Sequence, residues 1–285
     1  MLKKIKARIS KKKESQYIIG NYTITVPFDH KLPEYQRWFK NYDKKIKNII
    51  QSIDSYENKD GKVIVDIGAN IGDTATYIRS FTDAKIICVE GDNYYLEFLK
   101  KNIAQLPDIE IFPVFVQGRN EDGKYSLTRN NGTASLKEAD EKSTEIVFET
   151  LNSILEKNDI SLSSVEFLKI DTDGFDFDIL LANESLIRRF NPNVYFEYDI
   201  NYNENGIYDS IEVIKLFESL GYNFIVYDNF GNLLMIIDNN CISRFVELNH
   251  YLQSCKIYNG GIPYLDVFAT VNKDVIKNIW ENDNL

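Results

Sequence analysis

Cysteine, histidine and proline are scarce: the 285 residues hold three, two and six of them. Cys88, Cys241 and Cys255 are odd in number and widely spaced, so they offer neither a disulfide framework nor a metal or redox motif. That usage fits a reducing, cytoplasmic setting. No apolar run nears the roughly 18–20 residues that cross a bilayer; Leu233–Ile237 is representative. The basic start is not followed by an apolar segment, so no secretory signal is expected. With 44% hydrophobic and 27% charged residues, wholesale disorder and collagen are excluded.

Base is also lacking, except at the start. Residues 1–13 carry seven of the 33 lysines and arginines and no acid, which leaves 26 bases against 43 acids in the remainder. A body that acidic repels a phosphate backbone, so nucleic acid is not an expected partner. The arm itself could touch anionic lipid on the inner face of a membrane, or serve only as a solubilising terminus.

The chain contains no repeat and no low-complexity linker. Tyr17–Val26 alternates like a hairpin, and 32–53 has helical spacing. The polar stretch Ser55–Gly61 reads as a boundary between an N-terminal extension (1–60) and the main domain (61–285). From there apolar strands alternate with helices: strands at 62–67, 85–89, 110–116, 165–170, 194–198, 223–227 and 264–271, helices at 72–81, 94–105, 175–181 and 210–220. This order predicts an α/β fold, a Rossmann-like, doubly wound, mostly parallel sheet of seven strands. Ligands of such sheets bind beyond the carboxyl ends of the strands.

Two loops at those ends carry the chemistry. The first strand runs into Asp66-Ile-Gly68-Ala69-Asn70-Ile-Gly72-Asp73. Gly68 and Gly72 permit a sharp turn and close approach of the backbone, and the following helix points free N–H groups into the crevice. A dinucleotide site wants G-x-G-x-x-G. Here Asn70 replaces the second glycine, and Asp66 and Asp73 flank the loop, which would repel a pyrophosphate and suit a cationic ligand. After the second strand come Glu90, Gly91 and Asp92. Glu90 lies at the spacing of an acid that accepts hydrogen bonds from ribose hydroxyls; Asp92 belongs to the same loop and suits the N-cap of the next helix.

These residues resemble class I S-adenosylmethionine-dependent methyltransferases. A narrower resemblance, to the FkbM-type family, rests on Val65–Thr74 (VDIGANIGDT), on Asn131–Ser135, on Phe167–Asp176 (FLKIDTDGFD) and on Tyr195-Phe-Glu197. The stretch from Ile19 to Gln36 looks like members linked to bacterial surface-polysaccharide synthesis. The resemblance implies S-adenosylmethionine as methyl donor and Asp66, Gly68, Ala69, Asn70, Gly72, Asp73, Glu90, Gly91 and Asp92 as its binding residues. It further implies O-methylation of a sugar hydroxyl, with a nucleotide sugar or lipid-linked glycan as acceptor. The chain departs from the family at Asp173 and Asp176, often Glu, and at Phe175, often His.

A sugar hydroxyl needs a base to become nucleophilic. Asp171 and Asp173 end the fourth strand, Glu197 lies in the fifth, and Lys169, on the same strand side as Asp171, could be the partner these acids require. Asp171, Asp173 and Glu197 are the candidate catalytic groups, and together they could instead hold Mg2+. His30 joins them, as base or as substrate contact, if its segment lids the acceptor pocket. Two other readings stand beside this one: a nicotinamide oxidoreductase on the same fold, and a non-catalytic donor-binding module of a glycan-assembly complex.

Overall fold

The computed structural model describes residues 14–42, 44–57, 61–119, 125–130, 132–138, 146–202, 204–257 and 260–283. The basic arm at 1–13 and Asn131 lie outside them. The chain opens with the antiparallel hairpin Glu14–Ile19 (β1) and Tyr22–Pro27 (β2), followed by helices Leu32–Trp38 (α1) and Lys44–Tyr56 (α2). The helical spacing over 32–53 is thus broken. Phe39 leaves the helix with extended backbone and stacks on Phe230, ring centroids 4.0 Å apart, which fixes the turn. Ile46, Ile49, Ile50 and Ile53 of α2 are buried in the same cluster as Val275, Ile276 and Ile279 near the C-terminus.

The alternation then unfolds as expected: Val63–Ile67 (β3), Asp73–Arg79 (α3), Lys85–Val89 (β4), Asn93–Ile103 (α4) and Ile109–Phe112 (β5). The strand expected at 110–116 stops at Pro113, which has no N–H to give to a ladder. Phe115–Val116 (β6) pairs instead with Phe148–Glu149 (β9), on the far side of the hairpin Tyr125–Asn130 (β7) and Thr133–Glu138 (β8). Leu151–Glu156 (α5) leads to Val165–Ile170 (β10), Asp176–Ala182 (α6), Glu184–Phe190 (α7) and Asn193–Tyr198 (β11). Gly206–Ser219 (α8), Asn223–Asp228 (β12), Leu233–Ile237 (β13), Cys241–Ile257 (α9), Leu265–Thr270 (β14) and Lys273–Asp283 (α10) complete the chain.

The central sheet runs β13-β12-β14-β11-β10-β3-β4-β5, with β11, β10, β3, β4 and β5 mutually parallel and β14 inserted antiparallel between β11 and β12. It has eight strands where the sequence predicts seven. The extra one is Leu233–Ile237, which folds back on β12 after the turn at Gly231. Period-two alternation sorts the side chains. Val63, Val65 and Ile67 face one core, and Ile64, Phe167, Tyr195 and Phe268 the other. Among the described residues no helix is long and apolar enough to cross a membrane.

Candidate active site

Register builds the site. In β3, Asp66 lies two residues beyond Ile64, so its carboxylate falls on the same face of the sheet, as does Lys169 after Phe167 in β10. The register sets Lys169 directly opposite Asp66 on one side and Tyr195 on the other. One step closer to the carboxyl ends follows a row of acids: Asp171 beyond Lys169, then Glu197 opposite Asp266. Lys169 Nζ stands 3.0 Å from Asp66 Oδ1 and 3.2 Å from Asp171 Oδ2. Burial pulls the Lys169 ammonium down, but Asp171 and Asp66 together outweigh it and hold the group well above the usual lysine range. Burial pushes the Asp66 carboxyl up, and its Oδ2 is buried with no hydrogen-bond partner among the described residues.

The first loop turns where the sequence places it. Gly68 has φ +78°, and a Cβ there would stand 1.8 Å from the carbonyl oxygen of Asp171, so only glycine lets the loop after β3 lie against the end of β10. Gly72 serves packing: its Cβ would press on Leu99 of α4 at 2.6 Å. Asn70, at φ +50°, donates its backbone N–H to Glu90 Oε2 at 2.8 Å, and Asp92 donates its own to Glu90 Oε1 at 2.7 Å. Burial still raises the Glu90 carboxyl to about 7. Asp92 turns away from the cleft. It caps α4 through the Tyr94 N–H and takes a bidentate pair from Arg129, both contacts 2.6 Å. Sequence spacing alone put it in the loop, and the competing N-cap reading describes its geometry.

Two cavities meet here. One, of about 620 Å3, is lined by Gly68, Glu90 and Gly91 and by the apolar wall of Phe115, Val116 and Phe148. The other, of about 1520 Å3, holds His30, Asp73, Glu197, Asp266 and several tyrosines. Gly68, Asn70, Asp171 and Asp173 line both. Ala69 lies on the larger one, its methyl in the core under α3. Asp173 sits at the junction with φ +51° and accepts the Ala134 N–H. Burial, and behind it the charges of Asp171, Asp176 and Glu90, lift its carboxyl to about 8. Asp176, accepting from the Thr172 N–H and hydroxyl and from the Glu197 N–H, is lifted by burial and Asp171 to about 7. Glu197 is pushed well above the carboxylate range by burial and by Asp171, Asp176 and Asp173.

His30 lines the larger cavity, and its nitrogens are engaged. Nδ1 accepts the Leu32 N–H at 3.2 Å, so Nε2 carries the proton and faces Asn70 Oδ1 at 3.3 Å. Asn70 in turn donates Nδ2–H to the Gly132 carbonyl at 2.8 Å. In this tautomer the imidazole has no vacant nitrogen to take a proton, so the geometry gives it a tethering role in place of the base role expected from sequence. The Mg2+ reading gains no support either: among the described residues no three acids, imidazoles or thiols are grouped so as to hold a metal ion.

Several site residues escaped sequence reasoning. Lys45 lies in α2, buried, with its ammonium on Asp266 and 5.6 Å from the Tyr195 ring. Phe115 follows a strand break, and Arg129 comes from a hairpin with no motif. The only available signals were the alternation in Leu265–Thr270, which puts Asp266 on the same face of its strand as Phe268, and the unexpected lysine on the apolar face of α2.

The raised carboxyls make stability depend on pH. Asp173, Asp176 and Glu90 hold protons in the folded chain, at about 8, 7 and 7, that the unfolded chain releases near pH 4. Their contribution is complete below the unfolded values and fades as pH rises to about 8. Thermal unfolding of the ligand-free protein should therefore have a midpoint several degrees higher at about pH 6 than at about pH 8.5. A flat profile across that window would mean the three carboxyls are not clustered and buried as described.

A mostly parallel sheet in this order, with a glycine turn after the first strand and an acid after the second, defines a class I methyltransferase fold. The model of the Methyltransferase FkbM domain matches residues 66–224, more than half of the chain. The chain belongs to the FkbM-type family of class I S-adenosylmethionine-dependent methyltransferases. No curated protein matches it. Among solved structures, the FkbM methyltransferase of Methylobacillus flagellatus KT is 14% identical over 65% of this chain and 52% of its own, with a TM-score of 0.37. The precorrin-6y C5,15-methyltransferase of Geobacter metallireducens GS-15 is 12% identical over 79% of this chain and 86% of its own, also at 0.37.

Proposed function

We propose that the protein transfers a methyl group from S-adenosylmethionine to a hydroxyl oxygen of a sugar, in the assembly of a bacterial surface glycan on the cytosolic side. The observation that carries the reading is the meeting of the two cavities at Gly68, Asn70, Asp171 and Asp173. The donor fits the smaller cavity on the chemistry of its walls. Glu90, at the end of β4, is placed to accept ribose hydroxyls, and Phe115, Val116 and Phe148 offer an apolar slot for a flat base. The raised carboxyls of Glu90 and Asp173 on its wall favour a cation and disfavour the diphosphate of a nicotinamide cofactor. When bound, S-adenosylmethionine supplies an electrophilic methyl on a sulfonium.

The chain's part is to hold and deprotonate the acceptor. Tyr35, Tyr42, Tyr202 and Tyr264 line the larger cavity and suit the faces of sugar rings, while Glu197 and Asp199 suit hydroxyls. Asp173, on the shared wall, is the group best placed to take the hydroxyl proton as the oxygen attacks. The segment with His30 and α1 forms one side of the cavity, as an acceptor-side lid would.

Incubation with methyl-labelled donor and a host lysate fractionated into nucleotide sugars, lipid-linked glycans, proteins and small molecules tests the reading. Label should enter a carbohydrate fraction. Label confined to protein overturns the sugar assignment, and donor binding with no transfer to any fraction favours a non-catalytic module.

A further inference from the structure

Outside the active site, one groove runs against the charge of the molecule. It lies open between α2, the β12–β13 turn, β13 and the end of α10. Lys44, Lys45 and Lys47 line it, and among its described lining residues there is no carboxylate, in a chain of formal net charge −10. Lys45 is committed to Asp266, but among the described residues neither Lys44 nor Lys47 enters an ion pair. Lys44 is exposed, and the Lys47 ammonium lies 6.0 Å from the Phe81 ring centroid. Beside the apolar run Leu233–Ile236 of β13, the lining offers groups that sugars meet in proteins: the amides of Asn41, Asn232 and Asn282, and the half-exposed indole of Trp280.

The groove adjoins the larger cavity. Lys45 lines both; Tyr42 and Asn229 face the cavity, while their near neighbours Asn41 and Asn232 face the groove. The ridge between them is firm. Asn41 donates its amide N–H to Asn232 Oδ1 at 3.0 Å, and Gly231 sits so close that a Cβ would be 2.2 Å from the Asn41 carbonyl oxygen.

We propose that this groove is a second carbohydrate subsite, which takes an acidic stretch of a glycan, with sugars bearing carboxylate or phosphate, while a neighbouring residue of the same chain enters the larger cavity. The inference rests on the sugar-acceptor reading for its biological sense, but its chemistry is independent of methyl transfer. Lys44 and Lys47 meet the acidic groups, the asparagine amides meet hydroxyls, and Trp280 stacks on a ring face.

Binding is read from Trp280 fluorescence in full-length protein carrying Trp38→Phe, which leaves a single indole. Tetragalacturonate should bind, uncharged maltotetraose at least tenfold more weakly, and the difference should shrink with added salt. The double variant Lys44→Glu, Lys47→Glu should bind tetragalacturonate at least tenfold more weakly and S-adenosylhomocysteine as the parent does. Equal affinity for the two oligosaccharides, or unchanged binding by the double variant, overturns the proposal. So does pyrophosphate binding more tightly than tetragalacturonate, because the groove would then be a phosphate site and not a glycan site. Should the double variant not fold, the comparison of charged with uncharged oligosaccharide on the parent still decides. Neither donor nor turnover enters the measurement, so failure here is separate from failure of the methyltransferase reading.

Discussion

Replacing Lys169 with methionine should lower the stability of the chain by about 3–5 kcal/mol, the effect of stripping the partner from a buried charge. Lys169 and Asp66 are both almost wholly buried, and among the described residues Asp66 Oδ1 has this ammonium alone as an ion-pair partner, at 3.0 Å. Methionine keeps the aliphatic length, so the cost is electrostatic and not a cavity. Without the ammonium, Asp66 is left to burial, which already pushes its carboxyl up, and it must take a proton to remain inside. At roughly 2–4 °C per kcal/mol for a domain of this size, the unfolding midpoint should drop by about 6–20 °C. The partner substitution discriminates. Asp66→Asn placed on Lys169→Met removes the stranded charge, so the double variant should be more stable than Lys169→Met alone, a non-additivity expected of direct partners. If Lys169→Met melts within about 1 °C of the parent, the row of acids is not organised around this lysine.

The same pair illustrates what could be read from the residues. Lys169 lies in a strand and Asp171 two residues on, just past its end, so they fall on the same side, and that much was legible in FLKID. That Asp66 lies opposite Lys169 was not, because strand adjacency depends on the order of the sheet and not on spacing. The glycine turn and Glu90 were legible because a strand, a loop and a helix in succession permit few backbone paths. The break at Pro113 should have been legible as well, since a proline cannot serve a ladder on both sides. Asp266 and Lys45 were hidden for a different reason. Their encounter joins an early helix to the last strand, 221 residues apart. A local pattern carries no record of such a contact. Likewise the tether from His30 through Asn70 to Gly132 requires three segments to converge, and sequence placed His30 near the acceptor without showing that its nitrogens would be engaged.

Substituting Asp173 with asparagine should reduce kcat by about 10^2–10^4, the range typical of a lost general base. Asparagine is the informative choice. The position has φ +51°, which asparagine tolerates better than alanine, so the backbone at the junction is preserved while the basic oxygen is lost. In the parent the carboxyl of the free protein lies at about 8 and is useful only when ionised, so kcat/KM should rise with pH through about 8. A cation held beside it favours the carboxylate, so the rise in kcat should fall at lower pH than the rise in kcat/KM. In Asp173→Asn both limbs should flatten. Affinity for S-adenosylhomocysteine separates the roles. A base lost without loss of donor-site binding leaves that affinity within a few-fold of the parent, whereas a carboxylate that mainly holds the donor would carry binding and rate down together. Should kcat stay within threefold of the parent, the proton goes elsewhere. Glu197, raised by burial and by the same neighbours on the wall of the larger cavity, is the next candidate the geometry offers.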